Sequence, residues 1–272
     1  MPATLACDAH IHVIDPRFAT AAGQRPAPGQ TLADWQTMAQ PLGLGRAVIV
    51  QAKVYGTDNR CTLAAIAQLN GQGRGIAVVD TSVTEAHLQA LHEGGIRGLR
   101  FSLWNPTDAV VTIDMLEPLA QRIAALGWHI QLHLGAEQIL DAQALIRRLP
   151  VPVVFDHLGR LPPERGTAHP AFRFIAERID AGQAWVKLSG AYLNTAVGGP
   201  AYPDASEVAK AYARLAPQRL VWGSDWPHLT ERHAPDDANL LGLLLSWVGG
   251  ERERQAVLVE NPARLYGWAV PA

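Results

Sequence analysis

The sequence predicts a (β/α)8 TIM barrel, and three observations carry that prediction. The chain has 272 residues, close to the ~250 of one closed barrel. Short runs rich in Val, Ile and Leu are each followed by a longer stretch of helical composition, the alternation of a parallel sheet. The ends of these runs, His12, Gln51, Asp80, Leu103, His133, His157, Ser189 and Asp225, recur every 23 to 39 residues, the length of one βα unit.

The elements follow in order. The first run covers Ala6 to Val13. The second, Arg46 to Gln51, precedes Gly56-Thr57-Asp58-Asn59, whose Thr, Asp and Asn favour the N-cap of a helix over Thr62 to Leu69. Gly75 to Asp80 leads into Glu85 to Glu93, Gly98 to Leu103 into Met115 to Leu126, and Trp128 to Leu134 into Ala136 to Leu149. Val151 to His157 leads into Ala171 to Asp180, Ala184 to Ser189 into Asp204 to Leu215, and Leu220 to Asp225 into Asp237 to Trp247. No linker divides residues 1–272, so a single domain is expected, with its chemistry at the C-terminal ends of the strands. The Pro/Gly-rich segment Pro16 to Gln30 reads as a loop over that mouth or as an ordinary surface excursion.

Composition narrows the function. With 48% hydrophobic and 18% charged residues the chain can bury a large core, which excludes a disordered or fibrous protein. A net charge of −2 without runs of like charge argues against binding to nucleic acid or an anionic membrane surface and leaves a small molecule as the partner. Two cysteines, Cys7 and Cys61, are too few for a disulfide framework and point to reduced thiols in the cytoplasm. Met1 to His10 lack the basic and apolar regions of a signal peptide, and Leu240 to Val248 is too short to span a bilayer. A monomer or homodimer is expected, with Trp247 and Trp268 read as exposed tryptophans that leave room for a dimer.

His10-Ile11-His12 ends the first run, where a period of two places both imidazoles on one face, a spacing suited to one shared ion. Gln131 and His133 share a face at the end of the fifth run, His157 ends the sixth, and Asp225 ends the eighth. In a closed barrel His10, His12, His133, His157 and Asp225 point into one mouth, with the nitrogen-plus-carboxylate composition of a catalytic zinc or manganese site. Separate structural histidines and a capping aspartate are the bland alternative, which this convergence disfavours. Arg100 ends an otherwise apolar run, where a buried guanidinium demands an anion, either a substrate carboxylate or an internal salt bridge. Arg160, after the sixth run, is a second anion contact or a solvated loop cation. Lys53, Tyr55, Trp104, Tyr192 and His228 border the predicted mouth as substrate-lining candidates, and Trp226 is expected to pack on the rim.

Several stretches together carry a resemblance: Asp8-Ala9-His10-Ile11-His12, Val48-Ile49-Val50-Gln51, Gly75-Ile76-Ala77-Val78-Val79-Asp80, Gly95-Ile96-Arg97-Gly98-Leu99-Arg100-Phe101, Phe155-Asp156-His157-Leu158-Gly159-Arg160, Trp222-Gly223-Ser224-Asp225-Trp226-Pro227-His228 and Val259-Glu260-Asn261-Pro262-Ala263-Arg264-Leu265-Tyr266. Almost end to end, the chain resembles the amidohydrolase superfamily of the amidohydrolase 2 type, in particular its group typified by 2-pyrone-4,6-dicarboxylate lactonase and D-galactarolactone isomerase. The resemblance implies a distorted barrel of that type and a hydrolase that opens a carboxylated lactone of sugar-acid, aldaric or aromatic-degradation origin. It casts Asp225 as the general base that takes a proton from water and returns it to the leaving oxygen. His157 would donate to the developing oxyanion, while His10, His12 and His133 hold a divalent ion or hydrogen-bond the carbonyl directly.

The chain also departs from the group's pattern. Ser102-Leu103-Trp104-Asn105-Pro106 contains no second arginine beyond Arg100, and Lys53 and His133 stand where the group carries hydroxyl residues. Metal-binding members have a histidine at the position of His133, so the resemblance implies one divalent ion, Zn or Mn, on His10, His12, His133 and Asp225. Members without that histidine work without metal, and both versions stay open. Lactone isomerisation and metal-dependent decarboxylation of an aromatic acid are the alternative reactions. Outside enzymes, the alternative is an idle binding protein on a barrel, which the completeness of the five-residue set disfavours.

Overall fold

Eight short apolar strands run parallel and pair in sequence order: β1 (Cys7–Ile11), β2 (Arg46–Val50), β3 (Gly73–Ala77), β4 (Ile96–Ser102), β5 (His129–His133), β6 (Val153–Phe155), β7 (Ala184–Leu188) and β8 (Leu220–Trp222). This is the predicted (β/α)8 barrel, seen in a computed structural model that describes residues 4–21, 29–231 and 235–270. Beyond Trp222 the chain runs on beside β1. Asp225 N donates to His10 O at 2.9 Å and His12 N to Trp226 O at 2.8 Å, which closes the seam at the mouth. Below them the buried Asp8 carboxylate accepts from Ser224 N, Ser224 Oγ and Trp35 Nε1 at 2.9, 2.6 and 3.3 Å. Asp8, two residues before His10, is thus structural.

A bulge in β1 decides where the histidines point. Its register against β2 slips between Asp8↔Ala47 and Ile11↔Ile49, so one extra residue is taken up on β1. Cys7 and Ala9 pack with Val48, Val50, Ile76, Val154 and Trp185 in the barrel interior. After the bulge, His10 also faces inward instead of following Asp8 to the outside.

The larger apolar cluster lies between the strands and the helices, which include Leu32–Ala39, Arg60–Gln68, Glu85–Glu93, Leu116–Ile123, Pro170–Asp180, Pro203–Leu215 and Asp237–Trp247. The helix expected over Ala136 to Leu149 divides into Ala136–Asp141 and Gln143–Arg148. Asn59 stands at the N-cap of Arg60–Gln68 but caps nothing with its side chain. Its amide instead exchanges hydrogen bonds with Val78 N and O at 3.1 and 2.9 Å, tying the β2 loop to the end of β3.

At the opposite, N-terminal end of the barrel, Tyr266 and Trp268 close the interior cluster. The guanidiniums of Arg46 and Arg74 lie 4.9 and 4.8 Å from the Trp268 ring centre. Trp247 and Trp268 are therefore not the exposed tryptophans expected: both are buried, with their indole N–H groups donating to Ser206 Oγ and Gly71 O. Cys7 and Cys61 are free and buried. No helix among the described residues is long and apolar enough to cross a membrane. Of the loop Pro16 to Gln30, Gln30 bridges Ile14, and residues 22–28 lie outside the described residues.

Candidate active site

His10 and His12 enter the mouth from the β1 bulge, and the chain turns sharply after β6 and β8 to aim two more groups there. His157 and Asp225 both adopt left-handed backbone, φ 49° and 66°, at a cost of about 1–3 kcal/mol each that persists only where surrounding structure enforces it. Two glycines make the approach possible. A Cβ on Gly223 would sit 2.6 Å from His10 Cβ, and one on Gly190 would sit 2.9 Å from His157 Nδ1.

The result is a single point of convergence. Asp225 Oδ1 lies 3.4 Å from His10 Nε2, 3.6 Å from His12 Nε2 and 4.0 Å from His157 Nε2. The far nitrogens are held from behind: His12 Nδ1 donates to Val50 O at 2.9 Å, and His157 Nδ1 meets Ser189 Oγ at 3.0 Å. Burial works to raise the Asp225 carboxyl, but His157, His12 and His10 outweigh it and hold the group well below the usual carboxylate range. Burial pushes His157 down to about 4 against the pull of Asp225, so the ring is neutral at pH 7. His10 is likewise lowered by burial and by Lys187.

Beneath this point lies a charged layer that sequence reasoning missed. Lys187, fully buried on β7, donates to Ala9 O and Gln131 Oε1, both at 2.8 Å, and lies 3.4 Å from His10 Nδ1. Asp156, also buried, accepts from Gln131 Nε2 at 3.0 Å and lies 3.7 Å from Lys187, 3.5 Å from His10 and 3.4 Å from Arg100. Burial alone would raise Asp156, but Lys187, His10 and Arg100 prevail and lower it. The signal was present: Lys187 interrupts the apolar run Ala184 to Leu188 as Arg100 interrupts its own.

The remaining candidates fall into three groups. Arg100 is buried with Nε lacking a hydrogen-bond partner, and it lines a small cavity with Gln51, Lys53, Val78, Ser102 and Val111. Of its two anticipated partners, the internal carboxylate is present as Asp156, 3.4 Å from Nε. Lys53 sits at the rim, paired with Asp108 at 2.7 Å. Arg160 lies 4.4 Å over the Trp104 ring and donates to Leu193 O at 2.7 Å, while Trp104 is half exposed and stacks on His133. Trp226 is buried against the core as expected.

Tyr55 and His228 are corrections. The Tyr55 hydroxyl is buried and occupied by Asp15 N and O at 2.8 and 2.9 Å, so it anchors the first loop instead of lining the mouth. Both ring nitrogens of His228 are taken, Nδ1 by Tyr192 OH at 3.0 Å and Nε2 by Asp237 Oδ1 at 3.1 Å. Tyr192 in turn donates to Asp225 Oδ2 at 2.7 Å and so stands beside the convergence point.

The expected metal set is also changed. The potential ligand atoms that lie within 4.8 Å of one another belong to His10, His157 and Asp225. His133 is not among them: Nδ1 bonds Ser102 Oγ at 3.0 Å, and its ring packs edge-on to His157 with centres 5.1 Å apart. His12 touches only the Asp225 corner of that triangle. The triangle fits one divalent ion, because His10 Nε2 is a buried nitrogen without a hydrogen-bond partner and faces a carboxylate oxygen.

Known proteins resemble this chain along almost its whole length. The family model described as Amidohydrolase matches residues 7–268. A 2-pyrone-4,6-dicarboxylate hydrolase of Comamonas testosteroni is 34% identical over 96% of this chain and 90% of its own length. A 4-sulfomuconolactone hydrolase of Rhizobium radiobacter is 32% identical over 96% and 90%, and a D-galactarolactone isomerase of Agrobacterium fabrum is 29% identical over the same shares. A solved structure from Agrobacterium tumefaciens superposes with a TM-score of 0.90 at 28% identity, covering 98% of this chain and 95% of that one.

Proposed function

The chain belongs to the amidohydrolase family, and from that premise we propose that it is a hydrolase opening a carboxylated lactone by attack of water on the ring carbonyl, with Asp225 as general base. The observation that carries this reading is the approach of Asp225 Oδ1 to three imidazole nitrogens at 3.4–4.0 Å.

Hydrogen-bond accounting assigns the roles. The Lys187 ammonium donates to Ala9 O and Gln131 Oε1, and we assign its third proton to His10 Nδ1 at 3.4 Å in preference to Asp156 Oδ1 at 3.7 Å. His10 Nε2 then carries a proton and donates. With Ser189 Oγ donating to His157 Nδ1, His157 Nε2 is a second donor. His12, whose Nδ1 donates to Val50 O, offers Nε2 as an acceptor. Two donors for a carbonyl oxygen thus stand opposite two acceptors, His12 Nε2 and Asp225 Oδ1, for a water.

Asp225 takes one water proton as the water oxygen bonds to the carbonyl carbon. The carbonyl electron pair moves onto oxygen, where His10 and His157 stabilise it. Collapse breaks the ring C–O bond, and the proton on Asp225 passes to the leaving oxygen. Arg100, whose Nε faces Asp156 and whose side chain lines the cavity with Gln51, Lys53 and Ser102, holds the substrate carboxylate. A divalent ion on His10, His157 and Asp225, with the His10 proton moved to Nδ1 against Asp156, would supply positive charge to polarise the same carbonyl.

A second reading, lactone isomerisation, uses the same groups with a substrate hydroxyl in place of water, and the similarity to the galactarolactone isomerase favours retaining it. A pH-indicator assay of carboxylated lactones, before and after chelation and paired with elemental analysis, tests both. Acid release is expected. Conversion of a lactone without acid release would transfer the site to isomerisation, and no conversion of any lactone would overturn the reading.

A further inference from the structure

We propose that Tyr192, His228 and Asp237 form a positioning chain that reserves Oδ1 of Asp225 for proton abstraction by occupying Oδ2, an inference that rests on reading Asp225 as the base. Three contacts in series lead from the first residue of helix Asp237–Trp247 to the catalytic carboxylate. They are Asp237 Oδ1 to His228 Nε2 at 3.1 Å, His228 Nδ1 to Tyr192 OH at 3.0 Å, and Tyr192 OH to Asp225 Oδ2 at 2.7 Å.

The direction of these bonds follows from counting protons. A phenol has one proton and here two partners. An ionised carboxylate can only accept, so the proton goes to Asp225 Oδ2 and His228 Nδ1 must donate to the Tyr192 oxygen. On the other side of the ring, Nε2 donates to the Asp237 carboxylate, whose place in the first turn of a helix favours its negative charge. Burial and the Asp225 charge push the Tyr192 phenol well up, which keeps it a neutral donor.

The consequence is orientational. A carboxylate gripped at Oδ2 cannot turn, and its other oxygen stays at 3.4–4.0 Å from the three imidazoles. Neither His228 nitrogen remains free for substrate, and the Tyr192 oxygen has both its donor and acceptor capacity engaged. These residues act through Asp225 and not on the substrate.

The chain is tested first without substrate. In protein labelled with 15N-histidine, with His228→Gln used to assign the signals, both His228 nitrogens are expected to carry protons. A His228 Nδ1 without a proton would mean that Tyr192 donates away from Asp225, and would overturn the proposal.

Kinetics with the fastest carboxylated lactone of the panel supply the second arm. Tyr192→Phe should lower kcat about 10–100-fold with KM within about twofold and no loss of folded protein. Asp237→Asn should lower kcat severalfold on its own and have no further effect in the Tyr192→Phe background. A Tyr192→Phe kcat within twofold of the parent, or an Asp237→Asn effect that survives without Tyr192, would overturn the chain. Asp225→Asn separates the two ideas: its expected loss is at least about 1000-fold in kcat, and undiminished turnover would remove the base while leaving the histidine signals as they are.

Discussion

Both ends of this barrel bury polar side chains, but they do so in different ways. At the mouth, His10, His12 and His157 direct a nitrogen at the same oxygen of Asp225, and each is braced on its far side by a backbone carbonyl, a hydroxyl or a lysine. At the floor, Arg74 spends its guanidinium on Tyr266 O and Gly73 O, while Arg46 reaches Gln72 and stacks on Trp268. His129 and the Tyr266 hydroxyl there have no hydrogen-bond partner among the described residues. Ionisable groups at the floor each reach separate partners or stand alone; those at the mouth share one point. Buried charge by itself therefore does not mark a site. Convergence of several braced groups on a common position does, because only that arrangement can hold a reacting atom.

The two ends should respond alike to acid, and this is the largest effect expected. Burial pushes His129 at the floor to about 3 and His157 at the mouth to about 4, against about 6.5 in the unfolded chain. Below pH 6.5 the unfolded chain binds protons that the native state refuses, so stability falls as pH drops from 6.5 toward 4. Each ring should cost about 2 kcal/mol between pH 7 and pH 5, about 4 kcal/mol together. Urea denaturation at the two pH values measures this, and a change below 1 kcal/mol would break the parallel.

A floor substitution should separate stability from chemistry. Trp268→Ala removes the plug between Arg46 and Arg74 and should cost about 3 kcal/mol in denaturant, with kcat/KM within about twofold under folding conditions. A large loss of activity in this variant would mean that the floor reaches the mouth through Lys187. The smallest effect belongs to the rim. The exposed Lys53–Asp108 pair should contribute less than about 1 kcal/mol, read as a small melting shift in Lys53→Met.

Much of this molecule was legible in its residues. Eight alternating apolar runs and helical stretches suffice for a barrel, since periodicity is local and survives in a linear reading. His10, His12, His157 and Asp225 were legible too, because each ends a run and barrels place their chemistry there. Lys187 and Asp156 were passed over because an ionisable residue inside a run shows its partners only once the strands close. Tyr55 and His228 were misplaced for the related reason that a position after a strand says where the backbone goes, not which atoms its side chain meets.

The sequence alone thus determined the element order, the barrel and the kinds of group at its mouth. The tertiary structure alone decided which of five candidate ligands approach one another, through the β1 bulge and the left-handed turns at His157 and Asp225. It also decided that His133 belongs with Ser102 and Trp104, not with the three-residue cluster. The physical reason is range: hydrophobic periodicity is set by neighbours two to four residues away, whereas the hydrogen bonds of the site join residues from about thirty to more than two hundred positions apart in the chain.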